Sequence, residues 1–263
     1  MTKKMTITKI LNSKGERPLV MLTAYDALFA KLFEQSVDIL LVGDSLNMSF
    51  AGQDDTLSAT LNQMIYHANA VCKGAPSSFV ICDMPFGTYN SKKQALQNAT
   101  KIFQNTKVDA VKLEGDASKA GIVKHLTNHG IAVCGHIGLL PQSVRSEGGY
   151  KVKGRDEKSA LSLMEDAREL QNAGAFCMVI EGVKADVATK VAQDIDIPVV
   201  GIGAGRGVDG QVLVYSDMLG LFEEFTPKFV KKYLNGAELI KDAVRQYAEE
   251  VASGIFPSQE YSY

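Results

Sequence analysis

Eight short apolar runs recur along the chain, separated by longer segments with helix spacing, and this alternation constrains the fold more than any other feature. The runs are residues 19–23, 39–42, 78–82, 110–113, 131–134, 177–180, 198–201 and 211–215. They do not alternate apolar with polar residues, so they read as strands covered on both faces, as in a parallel sheet. Between them, Tyr25, Leu28, Phe29, Leu32 and Phe33 form one helix stripe at i, i+3, i+4, i+7 and i+8. Ala160, Leu163, Met164, Ala167 and Leu170 repeat the pattern, with Asp156 placed to cap the start and Gly174 to end it. Asp116 and Gly130 bracket the preceding helix in the same way. Residues 227–253 also read as helical, packed outside the sheet.

Eight strands alternating with helices predict an α/β chain, either a closed barrel or a doubly wound sheet. The length of 263 residues suits one domain, residues 1–263, because a single (β/α)8 TIM barrel takes about 250 residues. Two intervals, residues 43–77 and 137–156, are longer than the rest. Each predicts a long loop following a strand, where function tends to reside.

Charge narrows the partners. The 28 basic and 30 acidic residues give a net charge of −2, without the basic excess of a nucleic-acid surface. No apolar run approaches the roughly 18 residues of a membrane span, and the start of the chain lacks the apolar segment of a signal peptide. A cytoplasmic location is expected. Cys72, Cys82, Cys134 and Cys177 form no CxxC pair and read as buried apolar residues in a reducing compartment.

Chemistry enters where the runs end. From the second run to the sixth, the next ionisable residues are Asp44, Asp83, Glu114, His136 and Glu181. In a barrel the C-terminal ends of all strands open on one face, where active sites lie. Carboxylates crowded there raise one another's pKa and call for a cation. Oxygen ligands without a cysteine cluster favour Mg²⁺ or Mn²⁺ over zinc. Lys112, between Val111 and Leu113, points into the barrel if its neighbours face the helices, and Glu114 then lies one layer above it. Each residue also has a plain structural reading. Asp44 could cap a helix, Asp83 could form a turn, Lys112 and Glu114 could be a buried ion pair, and His136 could be a satisfied core histidine. Glu181, followed by Gly182, reads as functional.

Two tempting motifs are set aside. His125 and His129 have the spacing of a metal pair but lack the glutamate of HExxH and fall on an outer helix. Residues 201–207, Gly-Ile-Gly-Ala-Gly-Arg-Gly, miss the spacing of a dinucleotide loop and read as a tight turn with close backbone approach.

Several ordered segments together resemble the ketopantoate hydroxymethyltransferase family. They include Thr23-Ala24-Tyr25-Asp26, Leu41-Val42-Gly43-Asp44-Ser45, Asp83-Met84-Pro85-Phe86 and Val111-Lys112-Leu113-Glu114-Gly115. Cys134-Gly135-His136-Ile137-Gly138, Gly148-Gly149-Tyr150-Lys151-Val152 and Asp209-Gly210-Gln211-Val212-Leu213-Val214 continue the likeness. One loop departs from it, reading Gly52-Gln53-Asp54-Asp55-Thr56 where the family usually has Gly-His-Asp-Ser-Thr.

The resemblance implies a barrel of the phosphoenolpyruvate/pyruvate type, assembled as a homo-oligomer, commonly a decamer. It implies transfer of a hydroxymethyl group from 5,10-methylenetetrahydrofolate to 3-methyl-2-oxobutanoate through a Mg²⁺-stabilised enolate, giving ketopantoate for pantothenate synthesis. One Mg²⁺ per subunit would be held by Asp44, Asp83 and Glu114. Asp44, Ser45, Asp83, Lys112 and His136 would contact the 2-oxo acid, with Glu181 as proton acceptor. An alternative is an isocitrate-lyase or phosphoenolpyruvate-mutase type of lyase. Those enzymes usually carry a cysteine in a Lys-Lys-Cys-Gly-His loop, and here Cys134-Gly135-His136 lacks the lysines. A barrel that only binds metal or a partner is a further, non-catalytic alternative.

Overall fold

A computed structural model describes residues 4–223 and 226–263. The chain forms two compact units, residues 1–214 and 215–263.

In the first unit α1 (Ile7–Leu11) precedes β1 (Leu19–Thr23), followed by α2 (Ala27–Phe33) and β2 (Ile39–Val42). Then come α3 (Leu46–Ser49), α4 (Leu61–Gly74), β3 (Phe79–Asp83), α5 (Lys92–Asn105) and β4 (Ala110–Glu114). After α6 (Ala120–Asn128) and β5 (Val133–Gly138), a 3-10 turn at Pro141–Ser143 leads into α7 (Val144–Glu147). The unit continues with α8 (Glu157–Asn172), β6 (Cys177–Glu181), α9 (Ala185–Asp194), β7 (Val199–Ile202) and β8 (Gly210–Leu213). Each strand pairs in parallel with the next, and β8 pairs with β1, closing an eight-stranded barrel. Of the two expected architectures, the barrel is the one formed.

Strand parity sets what lies inside. Leu19, Met21, Ile39, Leu41, Phe79, Ile81, Ala110, Cys134, Cys177, Val179, Val200, Ile202 and Val212 belong to one apolar cluster, and most are two residues apart on their strands. Continuing that parity upward along β3 to β6 gives Asp83, Lys112 and Glu114, His136, and Glu181. The interior is therefore apolar below and charged above. Ile10 of α1, fully buried, joins the apolar cluster with Met5 and Ile7 packed against it. This short helix was not apparent in the sequence.

The helices begin where the chain supplies caps. Asp26 accepts from the Phe29 amide, Asp156 from Ser159, and Thr60 with Gln63 forms a capping box on α4. Gly174 follows α8 at φ +100°, as its position implied. Gly74 at the end of α4 lies so close to α2 that an added methyl would stand 2.2 Å from the Ala27 carbonyl oxygen.

Three expectations need correction. β5 begins two residues later than the apolar run and continues to Gly138, so His136 lies within the strand. On α2 only Ala30 is buried, while Leu28 and Leu32 are exposed and Tyr25 precedes the helix. The small Ala30 lets α2 sit close to its neighbours, which the stripe of larger residues concealed. In the second unit, α10 (Tyr215–Met218) is followed by α11 (Gly236–Ala252), and helix does not extend back to residue 227. There the amides of Tyr233 and Gly236 bond to Met218 and Leu219, which ends any helical ladder before α11.

All four cysteines are buried free thiols, as expected. No helix among the described residues is long and apolar enough to cross a membrane.

Candidate active site

The backbone register assembles the charged layer. Asp83 on β3 pairs with Lys112 on β4, and Glu114 pairs with His136 on β5. Glu181 ends β6 opposite Gly138. Asp44 follows Gly43 just beyond β2, and its amide donates to Asp83 Oδ2 at 3.0 Å. Asp44, Asp83, Lys112, Glu114 and His136 are all buried, and Glu181 is half-buried. Ser45 stands at the edge, its Oγ 2.8 Å from the Tyr25 hydroxyl. All seven residues picked from the sequence thus lie about one barrel mouth.

Lys112 is the hub. Its Nζ lies 3.2 Å from Asp83 Oδ1 and 3.1 Å from His136 Nδ1. Burial alone would lower its pKa, but Asp83, Glu114 and Asp44 outweigh that and raise it, so the ammonium stays charged. Burial pushes Asp44 well up, aided by repulsion from Asp83 and Glu114. Burial also raises Asp83, with Lys112 opposing. Burial would raise Glu114 too, yet His136, Lys112 and the Gln142 amide bring it below its ordinary value.

His136 faces carboxylates from both sides. Its Nδ1 is 3.5 Å from Glu114 Oε1 and its Nε2 is 3.3 Å from Glu181 Oε2. Burial and Lys112 oppose a charge on the ring, while Glu114 and Glu181 push its pKa up to about 9. The Lys112 hydrogen bond pulls the other way, because an ammonium donates to Nδ1 only if that nitrogen carries no proton. At 3.1 Å it is the shortest of the three contacts, so Nδ1 is contested between Lys112 and Glu114, while the two carboxylates favour the charged ring.

The two long loops meet over this layer. Gln142, in the 3-10 turn after β5, donates from Nε2 to Asp44 Oδ2 at 2.8 Å and to the Met84 carbonyl at 3.0 Å. Its amide donates to Glu114 Oε2 at 3.0 Å, and its Oε1 accepts from the Tyr89 hydroxyl. Arg145 pairs with Asp55 of the loop after β2, 2.8 Å away. Tyr150 reaches Met48 of the same segment. Gln53, at the departure from the family pattern, is exposed; its side chain donates to the Ala51 carbonyl at 3.4 Å and its backbone amide to the Asn47 carbonyl of α3 at 2.9 Å. Gln142 and Tyr89 were not legible as site residues. The length of the interval 137–156 points to a functional loop, but nothing in its spacing singles out the glutamine.

A divalent cation was expected here. Among the described residues no three His, Cys, Asp or Glu side chains form a ready metal cluster. Glu114 is engaged by the Gln142 amide and faces His136, leaving Asp44 and Asp83 as the adjacent carboxylates. That donor set still fits Mg²⁺, which is commonly held by one or two carboxylates plus water and substrate oxygens. Asp83 Oδ1 and His136 Nε2 are both buried here without an aligned hydrogen bond, and of the two the carboxylate oxygen suits a hard cation.

The motifs set aside earlier have structural roles. The His125 and His129 rings lie 4.5 Å apart at a tilt of 54°, with His129 Nδ1 on the His125 carbonyl. Gly203 and Gly205 adopt φ of +61° and +80°, and a methyl at Gly205 would lie 2.5 Å from Ala185 Cβ. The glycine-rich turn thus packs against α9, as its composition suggested.

The barrel shares its fold with solved structures described as phosphoenolpyruvate mutase/isocitrate lyase superfamily members. A 2,3-dimethylmalate lyase of that superfamily superposes with a TM-score of 0.62 at 16% identity, covering 96% of this chain and 86% of that one. Within that architecture the sequence itself is more specific: residues 4–259 match the family described as ketopantoate hydroxymethyltransferase, and the chain belongs to this family. It is 67% identical over 263 residues to the 3-methyl-2-oxobutanoate hydroxymethyltransferase of Sulfurimonas denitrificans, covering 100% of both chains. The enzyme of the same name from Nitratiruptor is 64% identical, again over 100% of both.

Proposed function

We propose that the chain catalyses hydroxymethyl transfer from 5,10-methylenetetrahydrofolate to C3 of 3-methyl-2-oxobutanoate, giving ketopantoate as the first step of pantothenate synthesis. One observation carries the reading: in a member of this family, four successive strands bring Asp83, Lys112, Glu114, His136 and Glu181 to one barrel mouth, beside Asp44.

Asp44 and Asp83 would hold Mg²⁺, with Glu114 supporting them. The bound ion would supply Lewis-acid stabilisation of the charge that develops on the keto oxygen. Lys112, kept charged by its acidic neighbours, neutralises the anionic substrate. Ser45, at the edge of the buried layer, is placed to donate a hydrogen bond to it.

Glu181 is the most accessible carboxylate of the layer, its side chain 19% exposed against 3% for Asp83 and Glu114. It takes the C3 proton, with His136 Nε2 3.3 Å from its Oε2. The C3 carbanion then forms a bond to the donor methylene as a carbon–nitrogen bond of the folate breaks. Water adds to the methylene as its second carbon–nitrogen bond breaks, and tetrahydrofolate leaves with the C3 proton on one nitrogen and a proton from water on the other.

α11 buries only Gly236 and leaves Leu239, Ile240, Val244, Tyr247 and Val251 exposed. An apolar face of this kind suits assembly with further copies of the chain, ten by the family resemblance. A cytoplasmic setting accords with the free thiols.

The lyase alternative has less support. Cys134, the counterpart of the lyase cysteine, is fully buried in the apolar interior of the barrel.

The test is to incubate purified protein with the oxo acid, methylenetetrahydrofolate and Mg²⁺, with and without chelator, and to follow ketopantoate. Formation that requires the folate and the metal is expected, and isocitrate cleavage without it would overturn the reading. Asp83→Ala is expected to abolish metal-dependent deuterium exchange at C3 of the oxo acid, even without folate. Exchange at the wild-type rate would remove Asp83 from the metal site.

A further inference from the structure

Gln142 occupies a position that neither the family motifs nor the strand ends single out. It is 6% exposed, and its amide group is almost fully committed. Both the Met84 carbonyl and the Asp44 carboxylate accept hydrogen bonds, so the side-chain nitrogen must face them. The side-chain oxygen then faces Tyr89, whose hydroxyl donates to it. With the backbone amide on Glu114 Oε2, one residue touches the ends of β2, β3 and β4 while belonging to the loop after β5.

The consequence for Asp44 is specific. Its carboxylate is buried among like charges, and Gln142 fixes Oδ2 at 2.8 Å. Gln142 in turn cannot rotate, because Tyr89 and Met84 hold both ends of its amide. Seating the loop and orienting the Asp44 carboxylate are therefore one event.

We infer that Gln142, anchored by Tyr89, is a positioning residue that presents the Asp44 carboxylate to a divalent cation when the loop after β5 is seated. The inference rests on the metal reading of Asp44 given above. Groups that orient a metal-bound carboxylate typically contribute about 10-fold to 100-fold in metal affinity.

The experiment titrates the full-length protein with Mn²⁺ alone, following free Mn²⁺ by electron paramagnetic resonance, at a temperature where circular dichroism shows each variant folded. Gln142→Leu is expected to weaken Mn²⁺ binding about 10-fold to 100-fold. Tyr89→Phe, which removes a single hydroxyl and carries the test if Gln142→Leu does not fold, is expected to weaken it about 3-fold to 10-fold. Asp44→Asn is the reference. Lost binding in Asp44→Asn with wild-type affinity in the two other variants overturns this inference alone, even if their melting temperatures fall. Unchanged binding in Asp44→Asn overturns the metal reading and this inference with it.

Discussion

Replacing Lys112 with methionine removes the one ammonium inside a buried layer of carboxylates. In wild type Lys112 lies 3.2 Å from Asp83 Oδ1, and both side chains are at most 5% exposed. Breaking a buried pair by removing one partner costs about 3–5 kcal/mol, because the remaining charge is left uncompensated. An upper limit follows independently. The variant can escape the penalty by taking up a proton on one carboxylate, and for an ordinary aspartate of pKa about 3.9 this costs about 4 kcal/mol at pH 7. The limit narrows the expected loss to about 3–4 kcal/mol.

The escape becomes easier as the solution acidifies, by about 1.4 kcal/mol per pH unit. The sign is fixed by linkage. In the variant the folded carboxylate has a raised pKa and binds more protons than the unfolded one, so its relative stability grows as pH falls. Guanidinium unfolding of both proteins in the presence of chelator, at pH 7 and pH 5, measures the difference. A loss of about 3–4 kcal/mol at pH 7 that shrinks by more than half at pH 5 is expected. A loss below about 1 kcal/mol at pH 7, or one that does not change with pH, would refute the role assigned to Lys112.

Gly74→Ala is expected to destabilise the protein by about 1–3 kcal/mol, read from urea midpoints, because the added methyl meets backbone atoms of Ala27 that cannot move alone. Asp38 is held below its ordinary pKa by hydrogen bonds from Arg17 and the Val20 amide, which outweigh its burial. Its contribution to stability is complete above the ordinary aspartate range and is lost as pH falls through the depressed value. Thermal melts of Asp38→Asn between pH 7 and pH 3 should therefore show a flatter acid limb than wild type. The four buried thiols are expected to resist a disulfide reagent in the native protein and to react in full once it is unfolded. Rapid reaction of the native protein would contradict their placement.

The barrel was legible because burial on both faces leaves a simple trace, an uninterrupted apolar run. The site was legible for a related reason: a charge directly after such a run has few places to go except the barrel mouth. Asp83, Glu114 and Glu181 are read in this way. The depth of His136 was not, because Gly135 interrupts the apolar run and hides the continuation of β5. α2 misled because its large residues are on the exposed side and its buried contact is the small Ala30. Gln142 left no trace at all. Its partner Asp44 is 98 residues away, and a hydrogen bond across that separation imposes no spacing on the chain. Side chains set by strand period can be read locally, whereas loop side chains that reach across the mouth cannot.

The alternation that points Asp83, Lys112, Glu114, His136 and Glu181 inward also makes them hostage to chain length. Each rides on a ladder shared with both neighbours, so inserting or deleting one residue within β3, β4, β5 or β6 would turn that strand's polar group toward the surrounding helices. Outer helices can exchange side chains widely without disturbing the mouth. The spacing inside these four strands has no such freedom, and an evolving lineage could lose the chemistry by a single-codon indel that leaves every ionisable residue present in the sequence.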